Sequence, residues 1–142
     1  MAGGAISWWS GKQPVVATST THAEYIGQDY AARELIWILR FLDEIGFPAK
    51  DITKIYSHLN LTMPLLYGDN QGALALAKNP VHHRLTKHID VRYHFIREQL
   101  AKKVFNLLYC PTKKNVADIM TKPLDKVLFE QHRESMGISD VA

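Results

Sequence analysis

Ile26, Tyr30, Trp37, Phe41 and Ile45 recur at helical intervals, and Leu35, Ile38 and Leu42 widen the same stripe. That spacing predicts a long amphipathic helix. Thr21-x-x-Glu24 has capping-box spacing and opens it, while Gly46, with Pro48 just beyond, closes it. Ahead of it, Ala5 to Thr18 alternates weakly and is rich in Ile, Trp and Val, which predicts a strand broken near Gly11 or Pro14. Trp8 and Trp9 fall on opposite faces of that strand, one of them in the core. Residues 47–62 read as a connection.

Pro64 to Tyr67 is an apolar run that fits a buried strand ending at Gly68-Asp69. Asn70 is placed to cap a short helix, Gln71 to Lys78, which Asn79-Pro80 closes. A third helix is expected from Leu85 to Lys103, with Ile89, Tyr93, Ile96 and Leu100 on one face. Val104 to Cys110 is a second apolar strand, Pro111 to Asn115 a polar loop, Val116 to Thr121 a short helix, and Asp125 to Met136 a last helix. Strands alternating with helices imply an α/β domain with at least one parallel pair.

At 142 residues and 46% hydrophobic content, one domain with a real core is expected. No apolar run approaches the length of a membrane span, and no secretory signal is visible, so the expectation is a soluble intracellular protein of cytoplasm or nucleus. The single cysteine, Cys110, excludes an internal disulfide and reads as a buried structural thiol in a reducing compartment. Charge is uneven: residues 1–77 balance to −2, residues 78–126 hold 11 Lys/Arg against 4 Asp/Glu, and residues 127–142 are slightly acidic. Such a basic half suggests a face for a polyanion, with a solvated helix face as the plainer alternative.

Three acids stand at the edges of predicted elements: Glu24, Asp69 and Asp118. Each has a structural reading. Glu24 completes a capping box, Asp69 is a strand-end turn former beside Asn70, and Asp118 complements a helix dipole. Their common setting points instead to chemistry, since carboxylates held this way can share divalent metal ions and cut a phosphodiester. Asp69 stands at the carboxyl end of a strand, the edge where ligands bind in open α/β sheets. His82, His83, His88 and His94 superficially resemble a zinc cluster. No Cys accompanies them, and His88 and His94 fall on different sides of a helix, which disfavours zinc. Asp90 and His94 are spaced as a surface pair.

At these strings the sequence resembles the ribonuclease H domain of Ty1/copia-type retrotransposon polyproteins. The similarity runs from about residue 4 to 137 as a single domain. It is carried by Ser7-Trp8 followed by Lys12-Gln13, by Ala23-Glu24-Tyr25, and by Asp69-Asn70-Gln71. Thr86-Lys87-His88-Ile89-Asp90-Val91-Arg92-Tyr93-His94-Phe95 and Ala117-Asp118-Ile119-Met120-Thr121-Lys122-Pro123-Leu124 complete the ordered set.

The resemblance implies a ribonuclease H-like fold, a five-stranded mixed sheet flanked by helices. It also implies hydrolysis of the RNA strand of an RNA–DNA hybrid at a site holding two Mg²⁺ (or Mn²⁺) ions. Glu24, Asp69 and Asp118 match its metal-ligating, catalytic acids, and their side-chain oxygens are expected within roughly 8 Å of one another. Lys87, Arg92, Arg97, Lys102, Lys103, Lys113 and Lys114 are the expected nucleic-acid contacts.

Relatives carry two further strands ahead of the one near Ala5, the first supplying a fourth acid beside the strand ending at Asp69. The expectation is an N-terminally truncated domain, impaired as a nuclease, whose strands re-pair, self-associate or borrow a strand from another chain. The loop from Pro111 to Asn115 lacks the His found there in cellular ribonucleases H. Three functions compete: a ribonuclease H, a catalytically inactive nucleic-acid-binding module, and an interaction protein pairing through strand edges.

Overall fold

The computed structural model describes residues 4–48, 63–78 and 87–138, with backbone alone at 87–90 and at the ring-bearing position 93. The connection expected at 47–62, the Asn79-Pro80 closure, the histidines at 82 and 83 and the start of the third helix lie wholly or largely outside these residues. The side chains of Asp90 and His88 do as well. The order is α1 (Thr20–Glu44), β1 (Leu65–Gly68), α2 (Gln71–Lys78), α3 (Lys87–Ala101) and β2 (Asn106–Tyr109). Two 3-10 turns (Thr112–Lys114 and Val116–Met120) and α4 (Lys126–Ser135) follow. Among the described residues, no helix is long and apolar enough to cross a membrane.

The chain divides into two compact units, Ala17–Tyr109 and a second formed by Met1–Val16 with Cys110–Ala142. In the larger unit β1 and β2 pair in parallel, Leu65 opposite Asn106 and Gly68 opposite Tyr109. This is the parallel pair expected from the strand–helix alternation. Among the described residues the sheet has two strands, so each keeps one edge without ladder hydrogen bonds. Two short strands are too few to be stable alone. Helices supply the rest: Tyr25, Ala32, Ala73, Leu74, Ala77, Ile96, Phe105 and Leu107 form one buried cluster. Ala73 and Ala77 are the small residues of α2 that allow this close approach.

Helix α1 ends as expected. Gly46 takes φ +88 and donates to the Asp43 carbonyl, and Phe47 donates to the Leu42 carbonyl at 2.7 Å, the Schellman pattern that favours glycine. Its start differs from the expectation. The cap is Ser19, whose hydroxyl accepts the His22 N–H at 3.1 Å, so Thr21 and Glu24 already lie inside the helix. Four hydroxyl residues in a row (Thr18 to Thr21) offer four registers, and the capping box selects the wrong one. Farther along, Trp37, Phe41 and Ile45 are exposed, with Trp37 and Phe41 stacked at 5.6 Å between ring centroids. The burying face is instead the amino-terminal half: Tyr25, Ile26 and Ala32.

The strand expected over residues 5–18 does not form; this segment is irregular. Trp8 and Trp9 are both exposed, against the expectation that one is core. Alternation cannot make a strand without a partner edge, and none of the described strands pairs with it. In the smaller unit the Ala5 N–H donates to the Met136 carbonyl at 2.8 Å. That contact ties the segment to the end of α4, which Asp125 caps by accepting from the Leu128 N–H. Cys110 is only partly buried, its thiol facing the Pro111 carbonyl.

Phe105, 1% exposed, enters the core just ahead of β2. Phe105→Ala is expected to lower stability by about 3–5 kcal/mol through lost burial and an unfilled cavity. Urea denaturation with a two-state fit checks this; a loss under about 1 kcal/mol would mean the core does not rest on that ring.

Candidate functional site

The carboxyl end of β1 is where the larger unit gathers chemistry. Asn70 accepts the Ala73 N–H with its side chain at 2.9 Å, opening α2 one residue beyond Asp69. Helix α1 crosses this junction. A Cβ added at Gly72 would lie 3.1 Å from the Thr21 hydroxyl, and one added at Gly68 would lie 2.7 Å from the Gln28 amide nitrogen. The two glycines therefore leave the room that α1 occupies. Thr21, Glu24 and Gln28 are separated by three and four residues and share one face of the helix. Glu24 is bracketed by two side chains that abut the residues on either side of Asp69. Glu24 is exposed and Asp69 half-buried. The buried Gln28 carbonyl oxygen has no hydrogen-bond partner among the described residues.

Asp118 belongs to the smaller unit and has a different setting. It is 6% exposed, in the first turn of the 3-10 segment that Asn115 precedes. Both carboxylate oxygens receive the Lys122 ammonium at 3.0 Å, and the Asn115 amide approaches Oδ1 at 3.4 Å. A cation entering here displaces a lysine first. Divalent Mg²⁺ and Mn²⁺ need several oxygen donors each, and two ions side by side need more still. Among the described residues, no three His, Cys, Asp or Glu are gathered closely enough to hold a metal ion. Among the described residues, then, nothing gathers the donors of a two-metal centre, and the Asp118 carboxylate already holds Lys122.

The expected nucleic-acid contacts separate into two groups. Arg92 donates from Nη1 to Asp29 at 3.2 Å and lies over the Tyr30 ring. Arg97 donates from Nε and Nη2 to the Leu76 carbonyl at 3.2 and 2.9 Å, satisfying an orphan carbonyl at the end of α2. Lys102 pairs with Glu98 at 2.6 Å on an exposed face. Lys103, Lys113 and Lys114 are exposed. Of Lys87, only its place at the start of α3 is described. Lys103 takes φ +55, the left-handed position after α3 where glycine is easiest; its Cβ costs roughly 1 kcal/mol there.

Sequence reasoning missed Asp29 as the centre of a buried ion cluster. Its side chain is 2% exposed and is shared by Arg33 and Arg92. The Asp29–Arg33 spacing of four was a visible signal. No local signal links Asp29 to Arg92, 63 residues away.

No family model and no solved structure matches the chain. Curated relatives do. A retrovirus-related Pol polyprotein from transposon TNT 1-94 of Nicotiana tabacum is 42% identical over 137 residues, 96% of this chain. Those from transposons RE2 and RE1 of Arabidopsis thaliana are 38% and 36% identical, again over 96% of the chain. The chain spans only 9%, 9% and 8% of those proteins' lengths. Nearly the whole of this chain is thus similar to one segment, under a tenth, of transposon Pol polyproteins.

Proposed function

We propose that this chain is a ribonuclease H-type segment of a Ty1/copia-type retroelement polyprotein. It binds RNA–DNA hybrids and contributes Glu24, Asp69 and Asp118 to Mg²⁺- or Mn²⁺-dependent hydrolysis of the RNA strand. The observation that supports this reading is the junction at the end of β1, where Thr21 and Gln28, on the helix face that carries Glu24, closely approach Gly72 and Gly68. Homology to transposon Pol polyproteins supports the retroelement part of it. Full activity awaits a further acid, because three suitable donors are not gathered among the described residues. An Asp-bearing strand added along the edge of β1 that has no ladder partner among the described residues meets that need, supplied from elsewhere in a polyprotein or from another chain.

The Lys122 ammonium on Asp118 favours a second reading, in which the chain binds nucleic acid without cutting it. Both readings require binding, with Lys102, Lys103, Lys113 and Lys114 as exposed cations and Lys87 as a further candidate. Affinity for a labelled hybrid, measured by anisotropy from low to moderate salt, is expected to fall with a log–log slope of about −0.9 per phosphate neutralised. Three contacts give a slope of about −3. Affinity indifferent to salt, or no binding at all, overturns both readings.

A further inference from the structure

The Asp29 cluster has more positive charge than its burial requires. The carboxylate accepts Arg33 Nε at 3.1 Å on each oxygen, Arg33 Nη2 at 3.1 Å on Oδ1, and Arg92 Nη1 at 3.2 Å on Oδ2. One arginine would neutralise it, since a buried carboxylate needs a single counter-charge with good geometry. Two leave a local excess of one positive charge. Both guanidiniums also lie over aromatic rings, Arg33 4.3 Å from the Phe95 ring centre and Arg92 5.1 Å from the Tyr30 ring centre. The Arg33 and Arg92 side chains remain 49% and 23% exposed, against 2% for Asp29. Among the described residues, Arg92 Nε and Nη2 and Arg33 Nη1 have no hydrogen-bond partner.

From this we infer that Arg33 and Arg92, aligned by Asp29, form a seat for one backbone phosphate of the bound nucleic acid. The inference rests on the hybrid-binding reading above. Arginine forks match phosphate oxygens in pairs, and forks already fixed by a carboxylate and a ring lose little freedom on binding. A pair of cations kept together only to fasten α1 to α3 would not need side chains left this exposed. Asp29 is in this account a positioning residue: it aims the arginines and does not meet the ligand.

The test keeps the charge and removes the forks. Arg33→Lys with Arg92→Lys retains two cations, so general electrostatic attraction is preserved. The expected result is hybrid affinity about tenfold weaker, with the salt slope and the circular dichroism spectrum unchanged. Equal affinity overturns the seat while leaving hybrid binding intact. The wild-type chain gives an independent readout that no folding defect can obscure: in ¹⁵N spectra of the arginine side chains, the Arg33 and Arg92 Nε resonances shift on adding the hybrid. Binding with both resonances unmoved overturns the seat. A wild-type chain that binds neither hybrid nor DNA duplex overturns the hybrid-binding reading, and the seat with it.

Discussion

Replacing Asp29 with Ala is expected to lower the free energy of unfolding by about 3 kcal/mol. Removing one member of a buried ion cluster is costly because the remaining charges stay where water cannot compensate them; such losses run at about 3–5 kcal/mol. Here the two arginines left behind are partly exposed and can turn outward, which places the loss near the low end. They also repel one another once the carboxylate is gone. Asp29 joins residues far apart in sequence, since Arg92 reaches it from α3 across 63 positions, so the loss falls on tertiary packing and not only on one helix. Urea denaturation followed by circular dichroism measures it. A double-mutant cycle with Arg92→Ala then isolates the pair, with an expected coupling of about 1–2 kcal/mol. An unchanged midpoint would mean the cluster ties nothing together.

Legibility in the sequence followed the range of the interactions. The end of α1 at Gly46, the Asn70 cap on α2 and the parallel pairing of β1 with β2 were all readable. Each depends on a few adjacent residues or on simple alternation of element types. The irregular course of residues 5–18 was not readable, because a strand exists only where a second strand accepts its hydrogen bonds. Trp37, Phe41 and Ile45 look like core on a helical wheel and are exposed; which half of a long stripe is covered depends on distant elements. In the candidate site the strand-end position of Asp69 was legible from the Pro64–Gly68 run. The two glycines that let α1 meet that strand end were not, nor was the Lys122 ammonium on Asp118, although the spacing of four hinted at it. Arg92 and Arg97 look like surface cations in a basic stretch, yet their first partners are Asp29 and the Leu76 carbonyl.

The largest functional effect is expected from supplying an acid. Among the described residues no three ligating side chains are gathered; with so few carboxylates two like-charged ions would repel, and water would fill a coordination position without adding charge. Hybrid cleavage by the chain alone is therefore expected to be at least about 10²-fold slower than by the chain complemented with an Asp-bearing strand. That ratio corresponds to about 2.7 kcal/mol of transition-state stabilisation. The added strand has a place to go, because β1 has one edge with no ladder partner among the described residues. Binding along it would also bury more of Leu65 and Leu66, which are only partly covered. A peptide in which that Asp is Asn should bind the edge equally and restore nothing.

Single-turnover cleavage of an end-labelled RNA–DNA hybrid tests the central claim most directly. The chain is assayed in Mg²⁺ with the Asp-bearing peptide, beside Glu24→Gln and Asp69→Asn chains given the same peptide. The account predicts metal-dependent cutting of the RNA strand by the complemented wild-type chain, and its loss in either variant with hybrid affinity retained. Cutting that persists undiminished in Glu24→Gln and Asp69→Asn would contradict it, as would a complemented chain that binds the hybrid and never cuts.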